Sequence, residues 1–478
     1  MNDGKLDRPF YFMVPFWGQR YRDYFVDLCL PSLLAPNNIS LLRAEDGHRF
    51  LMATTREDWQ AIEHRPIMER LRQHATPTWL EVNNPQQSQA SVNSEVYAQY
   101  ISSIQYQNLC QKKLVEAAYR DRAYGCLLCP DFVLSDGMVA ALLKYAHEGY
   151  HLVLCPALRQ TEEAVLDDLL HWGYLPSGQR LSMTGQALTI SPRVAADLLV
   201  RHMHPDLMGF EYGSPIPGHP FVSPHRFWRM PDGRGILLHT FFGLPLLMDL
   251  AVVHENHAQC LDRDILENVY FTENFSHSEH IRFIHDSDEF CVVSLTPAAT
   301  NVFSLSVPEF NHLGWKQEYD QLRNIRESMG YYVSRNHDVV RRELFKLPIR
   351  WHAAELDEVW MKEERRIDRL IDCVVGDYYE ISSPPNNHRF PSKFGPGLRV
   401  LLTDAPLKLR VLVLFMSLAA PWSGMVNNTA SVIKIVMRRV GLALIGDRVA
   451  LRWWGWRLRK LGSGLVGRPF QEPKPPTP

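Results

Sequence analysis

Short apolar runs alternate along the first half of the chain with longer stretches whose apolar residues recur at helical spacing. FYFMVPF over residues 10–16 stops at Gly18, and residues 21–34 then place apolar side chains three and four apart, the pattern of a strand feeding a helix. FLMAT at 50–54 and TWLEV at 78–82 predict a second and a third strand, and residues 97–119 a long helix. CLLC at 126–129 predicts a fourth strand, MVAALLKYAH at 138–147 a helix that Gly149 stops, and HLVL at 151–154 a fifth strand. Such alternation predicts an α/β fold with a mostly parallel sheet covered on both faces, whose ligands sit beyond the carboxyl ends of the strands.

After Arg159 the alternation loosens. Residues 186–190 predict a strand, Ser191-Pro192 opens a helix running to about residue 203, and 209–224 is a Gly/Pro-rich loop. Residues 227–242 predict a β-hairpin around Pro231-Asp232-Gly233. The chain divides by character into 1–305, the sheet domain; 306–382, helical and charged; 383–398, a linker; 399–465, basic, Trp-rich and helical; and 466–478, a disordered tail.

With 478 residues, 46% hydrophobic and 22% charged, the chain has enough apolar surface for one large or two ordinary cores. A formal net charge of -2 gives no reason to expect nucleic acid as a partner. The N-terminus carries acids and no basic stretch followed by a sustained apolar one, and eight cysteines in this length do not resemble a disulfide scaffold, so a cytoplasmic setting is expected. Cys126 and Cys129 form a C-x-x-C, but no second close pair accompanies it, and both fall within an apolar run; buried core is the expectation, against zinc or redox chemistry.

Three short motifs, VPFWG at 14–18, FLMATTREDW at the second strand and CPDFVLSDG after the long helix, give residues 1–305 a resemblance to the nucleotide-sugar-binding domain of GT-A-type glycosyltransferases. In that family a strand ends in Asp-x-Asp, whose last acid binds a divalent ion bridging the donor diphosphate, Mg²⁺ or Mn²⁺ neutralising the leaving group. Here the motif reads Cys129-Pro130-Asp131, so only Asp131 carries over, as a metal or ribose contact, with a solvated turn acid as the alternative. The resemblance further implies donor contacts at Pro15 and Gly18, and a late histidine completing the metal site, for which His239 is positioned by sequence, although a satisfied core or turn histidine is the favoured reading of that residue.

Arg159, expected at the end of the fifth strand, suits a donor phosphate, or else a surface ion pair. Glu211, in the Gly-flanked GFEYG, is the expected general base for the acceptor hydroxyl. Ser135 or Asp136 is the expected N-cap of the helix that follows. Asp262-Arg263-Asp264 and Asp286-Ser287-Asp288 also match Asp-x-Asp and are expected as turn or cap acids. His254-Glu255-Asn256-His257 lacks the spacing of H-E-x-x-H, no GxSxG or GxxxxGK[ST] occurs, and the GxGxxG at 462–467 has no βαβ unit around it.

From Arg399 to Lys460 there are eleven Lys/Arg against two Asp, with tryptophans at 453, 454 and 456. Two readings stand for it: an amphipathic element on an anionic membrane surface, or a helical subdomain packing its tryptophans on the sheet domain. Its apolar run at 411–422 falls short of the roughly 20 residues that span a bilayer. The expected function is transfer of a sugar from a nucleotide-diphosphate donor to a saccharide or lipid-linked acceptor, with the protein cytoplasmic and peripheral at a membrane face. The alternative is a non-catalytic scaffold that binds a membrane or a partner through its basic C-terminus.

Overall fold

A computed structural model describes residues 6–83, 96–212, 224–231, 233–275, 278–300, 328–329, 333 and 339–382. Contacts divide the chain into Met1–Arg389 and Phe390–Pro478, and the second unit lies outside the described residues, as do the expected linker, basic Trp-rich region and tail.

The strands are β1 (Phe10–Pro15), β2 (Arg49–Thr54), β3 (Thr76–Glu81), β4 (Tyr124–Leu127), β5 (Phe132–Leu134), β6 (Leu152–Cys155), β7 (Arg159–Thr161), β8 (His225–Arg229), β9 (Gly235–Thr240), β10 (Leu244–Asp249), β11 (Ile281–Phe283), β12 (Val292–Thr296) and β13 (Ile349–His352). Seven form the main sheet in the order β11-β6-β10-β4-β1-β2-β3. All neighbours run parallel except β10, which is antiparallel to both β4 and β6. The fold is a mixed α/β one with a mostly parallel sheet, as the alternating pattern predicted. Strands β1, β4, β6 and β10 are buried along their whole length, which is why they read as continuous apolar runs.

Two small sheets flank the main one, β5-β12-β7 and β13-β9-β8. The β8–β9 pair is the predicted hairpin, antiparallel from His225↔Thr240 to Arg229↔Ile236. The main core is aromatic around β1, with Phe12 stacked on Phe50 at 5.8 Å and Phe16 on Phe25 at 5.0 Å.

The helices at Met138–His147, Val96–Arg120 and Pro192–Arg201 form where the periodicity placed them. Three local expectations are corrected. The helix after β1 is interrupted: Gly18–Tyr24 passes into a π-turn at Phe25–Cys29 before Leu30–Leu33, because Pro31 has no N–H to bond four residues back. Residues 186–190 keep the alternating burial of a strand but form none; Leu188 N–H donates to the Pro31 carbonyl and the Ile190 carbonyl accepts from Asp136 N–H, two different partners and no ladder. Asp136 is not a cap. Gly137, at φ 99°, precedes the helix, and the Asp136 carboxylate instead accepts from the backbone and side-chain nitrogens of Asn37 at 2.7 and 2.8 Å.

Gly235 opens β9 directly beneath Trp360, and a Cβ there would lie 2.0 Å from the indole and 3.1 Å from the Trp351 carbonyl. Gly235→Ala is therefore expected to cost about 1–3 kcal/mol, read as a lower denaturant midpoint at unchanged slope.

Candidate active site

The first wall of the crevice is the turn after β1. Phe16 N–H donates to the Ala53 carbonyl, and Pro15, in register with Ala53, holds the turn against β2. Gly18 adopts φ 77°, a region costly for other residues, and its N–H donates to Asp58 Oδ2 at 2.8 Å. Asp58 also accepts from the Thr55 hydroxyl and from Arg22 Nη1 at 3.1 Å. A buried carboxylate thus ties the β1 turn to the end of β2. Its sequence context, Thr55-x-x-Asp58, is that of a capping box, and the helix Arg56–Gln60 is capped by Thr55. Trp17 packs edge-on against Tyr106 at 4.6 Å and tilts over Tyr21, an aromatic rim to the crevice.

Asp131 lies just past β4, in the turn into β5. Its carbonyl accepts from Leu295 N–H and its Oδ2 accepts from the Ser294 hydroxyl at 3.1 Å. Burial raises its carboxyl above the usual range, opposed by the Ser294 bond and by the charges of Arg159 and Arg20. Arg159 does not end β6, as expected; it begins β7, directly opposite Ser294 on β12, so it and Ser294 share one face of the small sheet with Asp131. Arg20 reaches the same place from the β1 turn: Nε donates to Tyr24 at 2.9 Å and Nη2 pairs with Glu162.

Cys126 is fully buried in β4, whereas Cys129 lies two residues past the strand end and is partly exposed. Burial raises its thiol well above the ordinary value, and the Glu267 carboxylate facing it adds to the rise. Cys129 Sγ donates to Glu267 Oε1 at 3.7 Å. Glu267 stands in the first turn of the helix Leu266–Asn274, which returns to this edge after β10 has run to the opposite one. Gln111 fixes both the helix and the acid: its Oε1 accepts from Leu266 N–H at 2.8 Å and its Nε2 donates to Glu267 Oε2 at 2.7 Å. Burial raises the Glu267 carboxyl, partly offset by the bonds from Gln111 and Cys129. Sequence reading missed Glu267, because an acid in the first turn of a helix is an ordinary dipole partner.

The other expected site residues lie elsewhere. His239 is fully buried on β9, its Nδ1 donating to the Phe345 carbonyl and its ring packed on Trp228 and Phe345; none of these contacts is shared with Asp131. Burial pushes it down to about 4, so it is a neutral core histidine at neutral pH. Glu211 pairs with Arg229 at 3.2 Å, and Arg229 also donates to the Val200 carbonyl. Glu211→Gln is accordingly expected to leave turnover within about threefold of wild type, which steady-state kinetics checks.

Asp262 pairs with Lys112, and Asp264 accepts from Ile265 N–H and Asn268, as expected of turn and cap acids. Asp286, Asp288 and His352 bring three ligand-type atoms within 4.8 Å of one another. Asp288 is held by Arg193, and His352 donates to both Asp286 and the Ala354 carbonyl, so the cluster is internally paired. A cavity of about 600 Å³ is lined by Lys112, His257, Asp262, Arg263 and Glu273, where Lys112–Asp262 and Arg263–Glu273 pairs neutralise its charges; neither Asp131 nor Glu267 lines it.

A divalent ion of the Mg²⁺ or Mn²⁺ kind takes an oxygen-rich, octahedral set. Of the two acids here, Asp131 is already bonded by Ser294 and Glu267 by Gln111 and Cys129, a protonated thiol stands where a first acid would, and two guanidiniums repel a cation. That donor set does not fit a resident divalent ion.

No family model and no curated protein matches the chain. Among solved structures, a crystal structure of S. aureus TarS aligns at TM-score 0.24 and 10% identity, over 80% of this chain and 56% of that one. The shorter TarS 1–349 aligns at TM-score 0.22 and 11% identity, over 78% of this chain and 92% of that one. Likeness at this level carries no argument about activity. Among the described residues, no helix is long and apolar enough to cross a membrane.

Proposed function

We propose that the chain is a glycosyltransferase that moves a sugar from a nucleoside-diphosphate donor to a hydroxyl-bearing acceptor. The observation that carries this reading is the pair of half-buried carboxyls, Asp131 and Glu267, brought from elements far apart in sequence close enough to Cys129, at the carboxyl edge of the sheet, for the charges of both to raise its thiol. Two acids with distinct surroundings suit distinct tasks. Asp131, beside the β1 turn, Arg159 and the aromatic rim, suits the donor, with its ribose hydroxyls on the carboxylate and its base against Trp17 and Tyr21. Glu267, its carboxyl raised by burial and so a better proton acceptor than a solvated acid, suits proton removal from the acceptor. The acceptor oxygen then attacks the anomeric carbon, the bond to the donor phosphate breaks with its electron pair leaving on the nucleoside diphosphate, and the proton rests on Glu267.

A saccharide or a lipid-linked saccharide is the acceptor class, and a membrane contact through residues 399–465 remains part of this proposal; those residues lie outside the described ones. Incubation with a panel of UDP- and GDP-sugars, with water or simple saccharides as acceptor, tests the reading by release of free nucleoside diphosphate. Release from one donor class, weakened about 10- to 100-fold in Asp131→Ala at subsaturating donor, is the expected result. Absence of release from every donor, together with absence of donor binding, would leave the sheet as a scaffold.

A further inference from the structure

We infer that the donor's diphosphate is neutralised by Arg159 and Arg20, which stand in for a divalent cation, so that donor binding is independent of metal. The inference rests on the transferase reading above and adds how its leaving group is held. Three observations carry it.

The first is register. Ser294 on β12 pairs with Arg159 on one side and with Phe132, next to Asp131, on the other, and its hydroxyl donates to Asp131 Oδ2 at 3.1 Å. Arg159 therefore projects from the same face as the acid that faces the donor. The second is the anchoring of Arg20, which enters from the β1 turn. Its Nε and Nη2 bond Tyr24 and Glu162, which fixes the guanidinium plane while Nη1 takes no part in these bonds. A guanidinium offers five donors and matches phosphate oxygens two at a time, at no cost in geometry beyond what Tyr24 and Glu162 have already fixed.

The third is the chemistry at position 129. A cysteine whose thiol is kept protonated and donates to Glu267 offers no hard oxygen to a cation, and the acid that would share the ion has been replaced. A diphosphate leaving group still requires its developing charge to be met, and the two guanidiniums, that of Arg20 anchored by Tyr24 and Glu162, meet it without a metal. Asp131 is then left to the ribose hydroxyls.

The test is a calorimetric titration of the full chain with the sugar nucleotide that binds it, in excess EDTA and again with Mn²⁺ added, with inorganic pyrophosphate as a competing probe in EDTA. The two affinities are expected to agree within about twofold, and pyrophosphate to compete. Arg159→Gln and Arg20→Gln are each expected to weaken donor binding by about 10- to 100-fold in EDTA, with Arg159→Lys in between. Melting curves on each variant separate lost binding from lost folding, and Arg20, at the surface, is the variant least exposed to that ambiguity. Binding seen only with Mn²⁺, or unchanged in both arginine variants, overturns the inference and leaves the transferase reading standing. No donor binding in either condition overturns both.

Discussion

Glu267→Gln is expected to slow sugar transfer by about 10²- to 10⁴-fold, the usual worth of a positioned base, while leaving donor affinity within about threefold. Gln111 donates to Glu267 and would still find an acceptor in the amide oxygen of the substituted side chain, so the geometry survives and only proton removal is lost. Transfer to azide, which needs no deprotonation, should be nearly equal in wild type and variant. The same substitution should raise stability. Burial lifts the folded-state carboxyl above its unfolded value, so the ionised form carries a penalty at neutral pH. That penalty is absent below the unfolded value and grows as pH rises through the folded one. Wild type should thus melt below Glu267→Gln at pH 7, by roughly 1 °C for a unit of this size if the penalty is about 1 kcal/mol, and the gap should close on acidification. A rate that falls on the acid side in wild type and loses that limb in the variant would complete the case. An unchanged rate would return Glu267 to the role of a helix-start acid.

The second large effect concerns the two acids of CPDFVLSDG. Asp131→Ala is expected to weaken donor binding by about 10- to 100-fold, the worth of a charged hydrogen-bonding group. Asp136→Ala should leave donor affinity alone and lower stability by about 1–2 kcal/mol, because it frees two Asn37 donors that the carboxylate holds. Titration and chemical denaturation of the pair separate the roles, and equal effects of both on binding would contradict the assignment.

How much of this was legible beforehand follows from where each signal is stored. The main sheet was readable because β1, β2, β4 and β6 are buried enough to leave continuous apolar runs, and Gly149 marks a helix end by its positive φ. The small sheet β5-β12-β7 was not, since its outer strands have three residues each and carry no period. That sheet is nevertheless what aligns Ser294 with Asp131 and Arg159. Asp131 could be singled out from Cys-Pro-Asp alone. Glu267 could not, because its partner Gln111 is 156 residues away and the link is made by the packing of two helices. Glu211 looked accessible in its Gly-flanked loop and is instead paired with Arg229, whereas His239 is the core histidine that its apolar strand favoured, packed on Trp228 and Phe345. Cys129 packs partly buried against the core, as its apolar run implied, and also donates to Glu267, a contact that the sequence does not announce.

The most direct test of the central claim is calorimetric titration of the wild-type chain with UDP- and GDP-sugars at pH 7, alongside Asp131→Ala. Saturable binding of one donor class by wild type, weakened by about 10- to 100-fold in the variant, is the predicted result. Saturable binding of none, or equal affinity in wild type and Asp131→Ala, would contradict it.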